Sequence, residues 1–189
     1  MAYNYCIILQ FIMRKRWSML TTLSIFSYLL IFALLFALAY RDLREYILPD
    51  YLNAALALSF MAFHISMHWQ VITPAEAIEG GLAGGGLLLL IRTVANKFYH
   101  DDSLGLGDVK LMAAAGLGLG YPNIFMALSL GAFAGLLHGL CMALFERRKN
   151  NHKINIGLVN VPAGLGLTIG IALTMMHQFG FAGLILLKK

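Results

Sequence analysis

The sequence predicts an all-α fold, a polytopic membrane bundle of about six transmembrane helices, and three observations carry that prediction. The first is composition: 60% of the 189 residues are hydrophobic and 12% are charged, with a mean hydropathy of +0.76. A soluble domain carries roughly twice that share of charge. It must also keep much of its surface polar, so one core of this size could not hold so much apolar side chain. The second is the length of the apolar runs, several of which reach the roughly 20 residues that a membrane-spanning helix needs. The third is how short the connections are: no linker, low-complexity tract or polar second domain separates the runs.

The spans are read in order. Trp17 to Tyr40 is the first. Ile47 to Trp69 is the second, with Trp69 suited to the interface. Ala75 to Ala95 is the third, and Gly80, Gly81, Gly84, Gly85 and Gly86 crowd its first half, where small residues let helix backbones approach closely in lipid. Val109 to Leu119 is a short fourth, followed by Pro122. Asn123 to Phe145 is the fifth and Val159 to about Gln178 the sixth. Residues 17–189 are expected to form a single transmembrane domain. Residues 1–16 stand apart: Tyr5 to Met13 is too short to span, Arg14, Lys15 and Arg16 follow it, and no small-residue cleavage site marks a removable signal peptide.

The positive charges predict the orientation. Arg41, Arg44, Arg92, Lys97, Lys110, Arg147, Arg148, Lys149 and Lys153 fall on one side. Arg14, Lys15, Arg16, Lys188 and Lys189 fall on the other. Nine against five assigns the loops that hold Asp42 and Asp108 to the cytoplasm of a multi-pass protein of the inner (plasma) membrane. The net charge of +5 is spread over short loops rather than massed in a patch, so nucleic acid is not an expected partner; membrane lipid is. Cys6 and Cys141 form no CxxC pair, and no Cys/His cluster has ligand spacing. His64 and His68 share a helix face but have no third ligand, and read as interfacial polar residues. No metal and no cofactor is expected.

Only nine residues are acidic. Glu45, Glu76, Glu79 and Glu146 lie near span ends, and Asp101 and Asp102 lie in a polar loop. Asp42, Asp50 and Asp108 remain. Asp108 closes Gly105-Leu106-Gly107-Asp108-Val109-Lys110-Leu111 at the mouth of span four. One reading is an acid at the positive end of a helix. The other is a functional carboxylate, since glycines let a backbone or an extended substrate come close and an ionisable group at membrane depth is costly unless it is used. Asp42 follows span one, and alone it reads as a solvated loop acid paired with Arg41 or Arg44. Asp50, after Pro49, reads as a cap or first-turn residue of span two.

Together these segments resemble the type IV prepilin peptidases, membrane aspartic peptidases of the GxGD kind. In that family a first catalytic Asp precedes a short loop ending in Pro-Asp or Pro-Asn, which Asp42 and Leu48-Pro49-Asp50 fit. A second catalytic Asp closes GxGD before Val/Phe-Lys-Leu, which Gly105, Gly107, Asp108 and Lys110 fit. Val161-Pro162-Ala163-Gly164 is similar to the family's proline motif in the last helix, with Ala163 where an aromatic is usual. The resemblance spans about residues 30 to 170.

It implies an aspartic endopeptidase with Asp42 and Asp108 as its catalytic pair, acting on prepilins or pseudopilins. Such substrates carry a short basic leader ahead of an apolar helix. Lys110 reads either as a structural charge partner for an acid, the favoured role, or as a substrate contact. Larger members carry an N-terminal region, often with two CxxC pairs, linked to N-methylation. Its absence from this sequence implies a short, peptidase-only member. Two other classes compete. A small carboxylate-dependent transporter predicts acids near the bilayer midplane and an internal repeat. A non-enzymatic scaffold predicts that Asp108 is only a helix start.

Overall fold

The computed structural model describes the backbone of residues 2–99, 105–149 and 163–186, and the side chains of residues 20–98, 105–144 and 163–179. Six helices follow one another: α1 (Ala2–Glu45), α2 (Asp50–Ser66), α3 (Pro74–Tyr99), α4 (Leu106–Leu119), α5 (Asn123–Lys149) and α6 (Ala163–Leu186). No strand occurs among the described residues. Leu20–Glu45, Pro74–Phe98 and Asn123–Leu144 are long and apolar enough to cross a membrane. The fold is an all-helical membrane bundle.

The first helix is longer than the apolar run that announces it. It continues backward through Arg14, Lys15 and Arg16 and forward past Tyr40 to Glu45. No glycine or proline occurs between residues 2 and 45, and Arg, Lys, Glu and Leu are strong helix formers, so polarity alone does not stop it. It ends where Tyr46 turns to a left-handed φ of 54° and its amide closes on the Asp42 carbonyl at 3.0 Å. Pro49, extended at φ −70° and ψ 138°, then precedes α2.

Each later boundary has a local cause. Thr73 and Glu76 make a reciprocal cap at the start of α3: the Thr73 amide donates to Glu76 Oε2 at 2.7 Å, and the Glu76 amide to Thr73 Oγ1 at 3.2 Å. Pro74 takes the first helical position, where its missing N–H costs nothing. Asn53, Leu56, Phe60 and Phe63 recur along α2 as a buried stripe at helical spacing.

Small residues set the packing. A Cβ on Gly80 would strike the Gly116 carbonyl, and one on Gly84 would lie 2.6 Å from the Met112 carbonyl, so α3 and α4 meet backbone to backbone. Gly166 does the same for α5 and α6: its Cβ would lie 2.6 Å from the Gly131 carbonyl. The helix α4 packs against α2, α3, α5 and α6. With 14 residues it is about 21 Å long, short of a bilayer core of about 30 Å.

Because backbone groups at membrane depth have no water to bond, the far end of α4 is served by side chains. His64 Nε2 lies 2.8 Å from the Gly118 carbonyl, and the Leu119 carbonyl accepts from Gln178 at 3.1 Å and Asn123 at 3.3 Å. This corrects the expectation for His64. It is not an interfacial polar residue but fully buried, stacked on Trp69 with ring centroids 5.4 Å apart. Its neighbour His68 lies instead in the turn after α2, with φ 51°.

Candidate active site

Asp42 is not a loop acid. It occupies the last turn of α1 and is buried. The two arginines expected to pair with it are engaged elsewhere: Arg41 bridges Glu45 at 2.7 Å, and Arg44 lies over the Tyr40 ring at 5.2 Å. The Asp42 carboxylate turns inward, and its Oδ2 accepts the Leu165 N–H at 2.7 Å. Leu165 belongs to the first turn of α6, whose free amides carry the positive end of the helix dipole. Gly164 makes the approach possible, because a Cβ there would lie 2.8 Å from Asp42 Cγ.

Asp108 sits in the first turn of α4, also buried. Its N–H bonds the Gly105 carbonyl at 3.2 Å, and its Oδ1 is buried with no hydrogen-bond partner. Burial first, and the negative charge of Asp42 second, push the Asp108 carboxyl up to about 6, against a backbone hydrogen bond from Gly105 that favours the ionised form. The two acids therefore lie within electrostatic reach of each other, brought together by tertiary packing across 66 residues of sequence.

Leu48 stands between the two acid-bearing turns. A Cβ on Gly107 would lie 2.7 Å from Leu48 Cβ, and one on Gly164 would lie 2.9 Å from Leu48 Cδ1. The turn after α1, the start of α4 and the start of α6 thus meet on one buried leucine. Asp50 opens α2 as a first-turn residue, as its position after Pro49 predicts. Its Oδ2 pairs with Lys110 Nζ at 2.6 Å, an exposed ion pair that joins the starts of α2 and α4. Lys110 is thereby a charge partner for an acid, as expected.

Of the residues singled out in the sequence, Asp42, Pro49, Asp50, Gly105, Gly107, Asp108 and Lys110 gather at one end of the bundle. Pro162 lies outside the described residues. Its neighbours Ala163 and Gly164 open α6 beside Asp42. Two contributors had no motif to announce them, Leu165 and Asn53; Leu48 stood in the quoted Leu48-Pro49-Asp50 run, but its contact with both glycines did not follow from it. Asn53 carried a signal of another kind, a polar residue inside the apolar run of α2, where burial demands a partner. Among the described residues no group of three or more His, Cys, Asp or Glu is placed to hold a metal ion.

Comparison with known proteins gives the family. Residues 29–140, which contain both acids, match the type IV leader peptidase family. The chain is 30% identical over 119 residues to the prepilin leader peptidase/N-methyltransferase of Escherichia coli (strain K12), covering 63% of this chain and 52% of that protein. It is 33% identical over 154 residues to the protein of that name from Dickeya chrysanthemi, covering 79% and 52%. It is 27% identical over 154 residues to the one from Aeromonas hydrophila, covering 81% and 52%. The chain spans about half the length of these curated relatives. No solved structure matches it. A family match over more than half of the chain, on a helical membrane bundle that buries two acids from separate motifs at one end, establishes that this chain belongs to the type IV leader peptidase family.

Proposed function

We propose that this chain is a membrane aspartic endopeptidase that removes the short basic leader from prepilins or pseudopilins, with Asp42 and Asp108 as its catalytic pair. The observation that carries the reading is the burial of both acids around Leu48, Asp42 beside Gly164 and Asp108 next to Gly107, with Asp108 Oδ1 left without a hydrogen-bond partner. Two carboxylates close together in a desolvated site do not ionise independently; the pair holds one proton between them. The ionised member takes a proton from a water molecule, whose oxygen attacks the scissile carbonyl carbon. The protonated member polarises the carbonyl oxygen and stabilises the tetrahedral intermediate. The C–N bond then breaks as the amine leaves with a proton from the pair, which returns to its singly protonated state. The titrations belong to the pair, so neither acid is assigned a fixed role.

Both acids lie at helix ends, α1's last turn and α4's first, which favours a site at the membrane surface over the midplane relay of a transporter. With the charge bias of the loops, the reading puts that surface on the cytoplasmic side of the inner membrane. The relatives' names supply the substrate class. The proposal covers the peptidase reaction and not methyl transfer.

The test is co-expression with a candidate prepilin in cells lacking other prepilin peptidases, with leader removal followed by gel shift. Wild type and Asp50→Asn are expected to cleave, and Asp42→Asn and Asp108→Asn are not, at matched membrane levels. Cleavage that survives either of the last two substitutions overturns the mechanism.

A further inference from the structure

We infer that Asn53 is a positioning residue of this site, which fixes the Gly107–Asp108 peptide and with it the direction in which the Asp108 carboxyl leaves α4; the inference rests on the peptidase reading above. Asn53 lies on the buried stripe of α2 and is 4% exposed. Its Nδ2 donates to the Gly107 carbonyl at 3.3 Å, across 54 residues of sequence. The orientation of the amide is chemically fixed, since only the NH₂ group can face a carbonyl oxygen. The nitrogen of that same peptide is the Asp108 N–H, which bonds the Gly105 carbonyl at 3.2 Å. One peptide plane is therefore held at both ends, by α2 through its oxygen and by the preceding turn through its nitrogen.

The first turn of α4 is weakly limited by its own side chains. Gly105 and Gly107 have none to restrict their backbone angles, and the close fit of Gly107 against Leu48 requires that glycine. Beyond the hydrogen bonds of α4 itself, Asn53 of α2 adds an anchor from another helix. Its other amide atom gains nothing in return: Asn53 Oδ1 is buried without a hydrogen-bond partner, which costs free energy that an apolar side chain avoids. The satisfied half of the amide is the half that meets Gly107.

The experiment uses the full chain, purified in detergent, with a prepilin substrate, and compares wild type with Asn53→Leu and Asn53→Ser. Leucine keeps the branching and the four heavy atoms of the side chain and loses the donor; serine is too short to reach Gly107 and guards against a leucine variant that misfolds or overpacks. The expected result is a fall in kcat of about 10- to 100-fold, the size of effect a misplacement of about 1 Å produces. KM stays within about twofold, and the unfolding temperature of Asn53→Leu is no lower than that of wild type. A kcat within about twofold of wild type, a loss confined to KM, or a loss that only tracks a lowered unfolding temperature overturns the proposal. Asp42→Asn and Asp108→Asn, assayed alongside, separate the two ideas: if they still cleave, it is the peptidase reading that fails.

Discussion

The Asp42 carboxylate on α1 accepts the backbone N–H of Leu165 on α6 at 2.7 Å, a bond that spans 123 residues of sequence. It makes Asp42 a cap for a helix it does not belong to. The last turn of α1 and the first turn of α6 are held as one unit, so a change at α6 acts directly on the acid.

Gly164→Ala tests that unit. The added methyl would lie within 3 Å of Asp42 Cγ and Leu48 Cδ1, and the Asp42 carboxylate is held in place by its bond to Leu165. The expected result is a loss of cleavage of at least about tenfold, consistent with a displacement of about 1 Å at a catalytic group, while the protein still accumulates in the membrane. Cleavage assay and immunoblot on the same membranes check both halves.

The Asp108 titration gives a pH dependence with a definite sign. Its carboxyl holds a proton up to about pH 6 in the folded protein, against 3.8 ordinarily. The folded state binds more protons than the unfolded state between those values, so stability falls as pH rises through that window and levels off above it. Thermal unfolding in detergent from pH 4 to pH 7 should show a steeper slope in wild type than in Asp108→Asn. The singly protonated pair is also lost as pH rises through the upper value, so kcat/KM should decline on the alkaline side.

His64→Leu removes the donor that serves the Gly118 carbonyl and the ring stacked on Trp69. A buried carbonyl left without its partner costs about 1–3 kcal/mol. The unfolding temperature should fall, and cleavage per folded molecule should stay near wild type because the substitution lies at the far end of α4 from Asp108.

Glycine substitutions should divide by contact rather than by sequence. A Cβ on Gly118 would enter the Phe60 ring, whereas one on Gly86 meets nothing within 4 Å. Gly118→Ala should reduce folded protein sharply. Gly86→Ala should match wild type or exceed it by up to about 1 kcal/mol, the helix preference of alanine over glycine. Unfolding curves of the two variants provide the check.

The sequence made the helices legible because apolar run length is a direct signal, and it made Asp108 legible because GxGD opens an apolar run. It put Asp42 in a loop because hydropathy falls at Arg41, whereas the helix continues until Tyr46 turns. His64 looked interfacial from its distance along the run, yet it shares the inward face of α2 with Phe60 and Phe63, a pattern the helical period contains. The Asp42–Leu165 and Asn53–Gly107 bonds were not legible at all. Each joins segments that meet only through the packing of α6 on α1 and of α4 on α2.

The short, enclosed α4 has one more consequence. A helix anchored by headgroups at both ends shifts or tilts when bilayer thickness changes. The ends of α4 are anchored by protein instead, at Gly107 by Asn53 and at Gly118 and Leu119 by His64, Gln178 and Asn123. Asp108 is therefore referenced to the neighbouring helices rather than to the lipid, and under the peptidase reading cleavage is expected to vary little between membranes of different acyl-chain length.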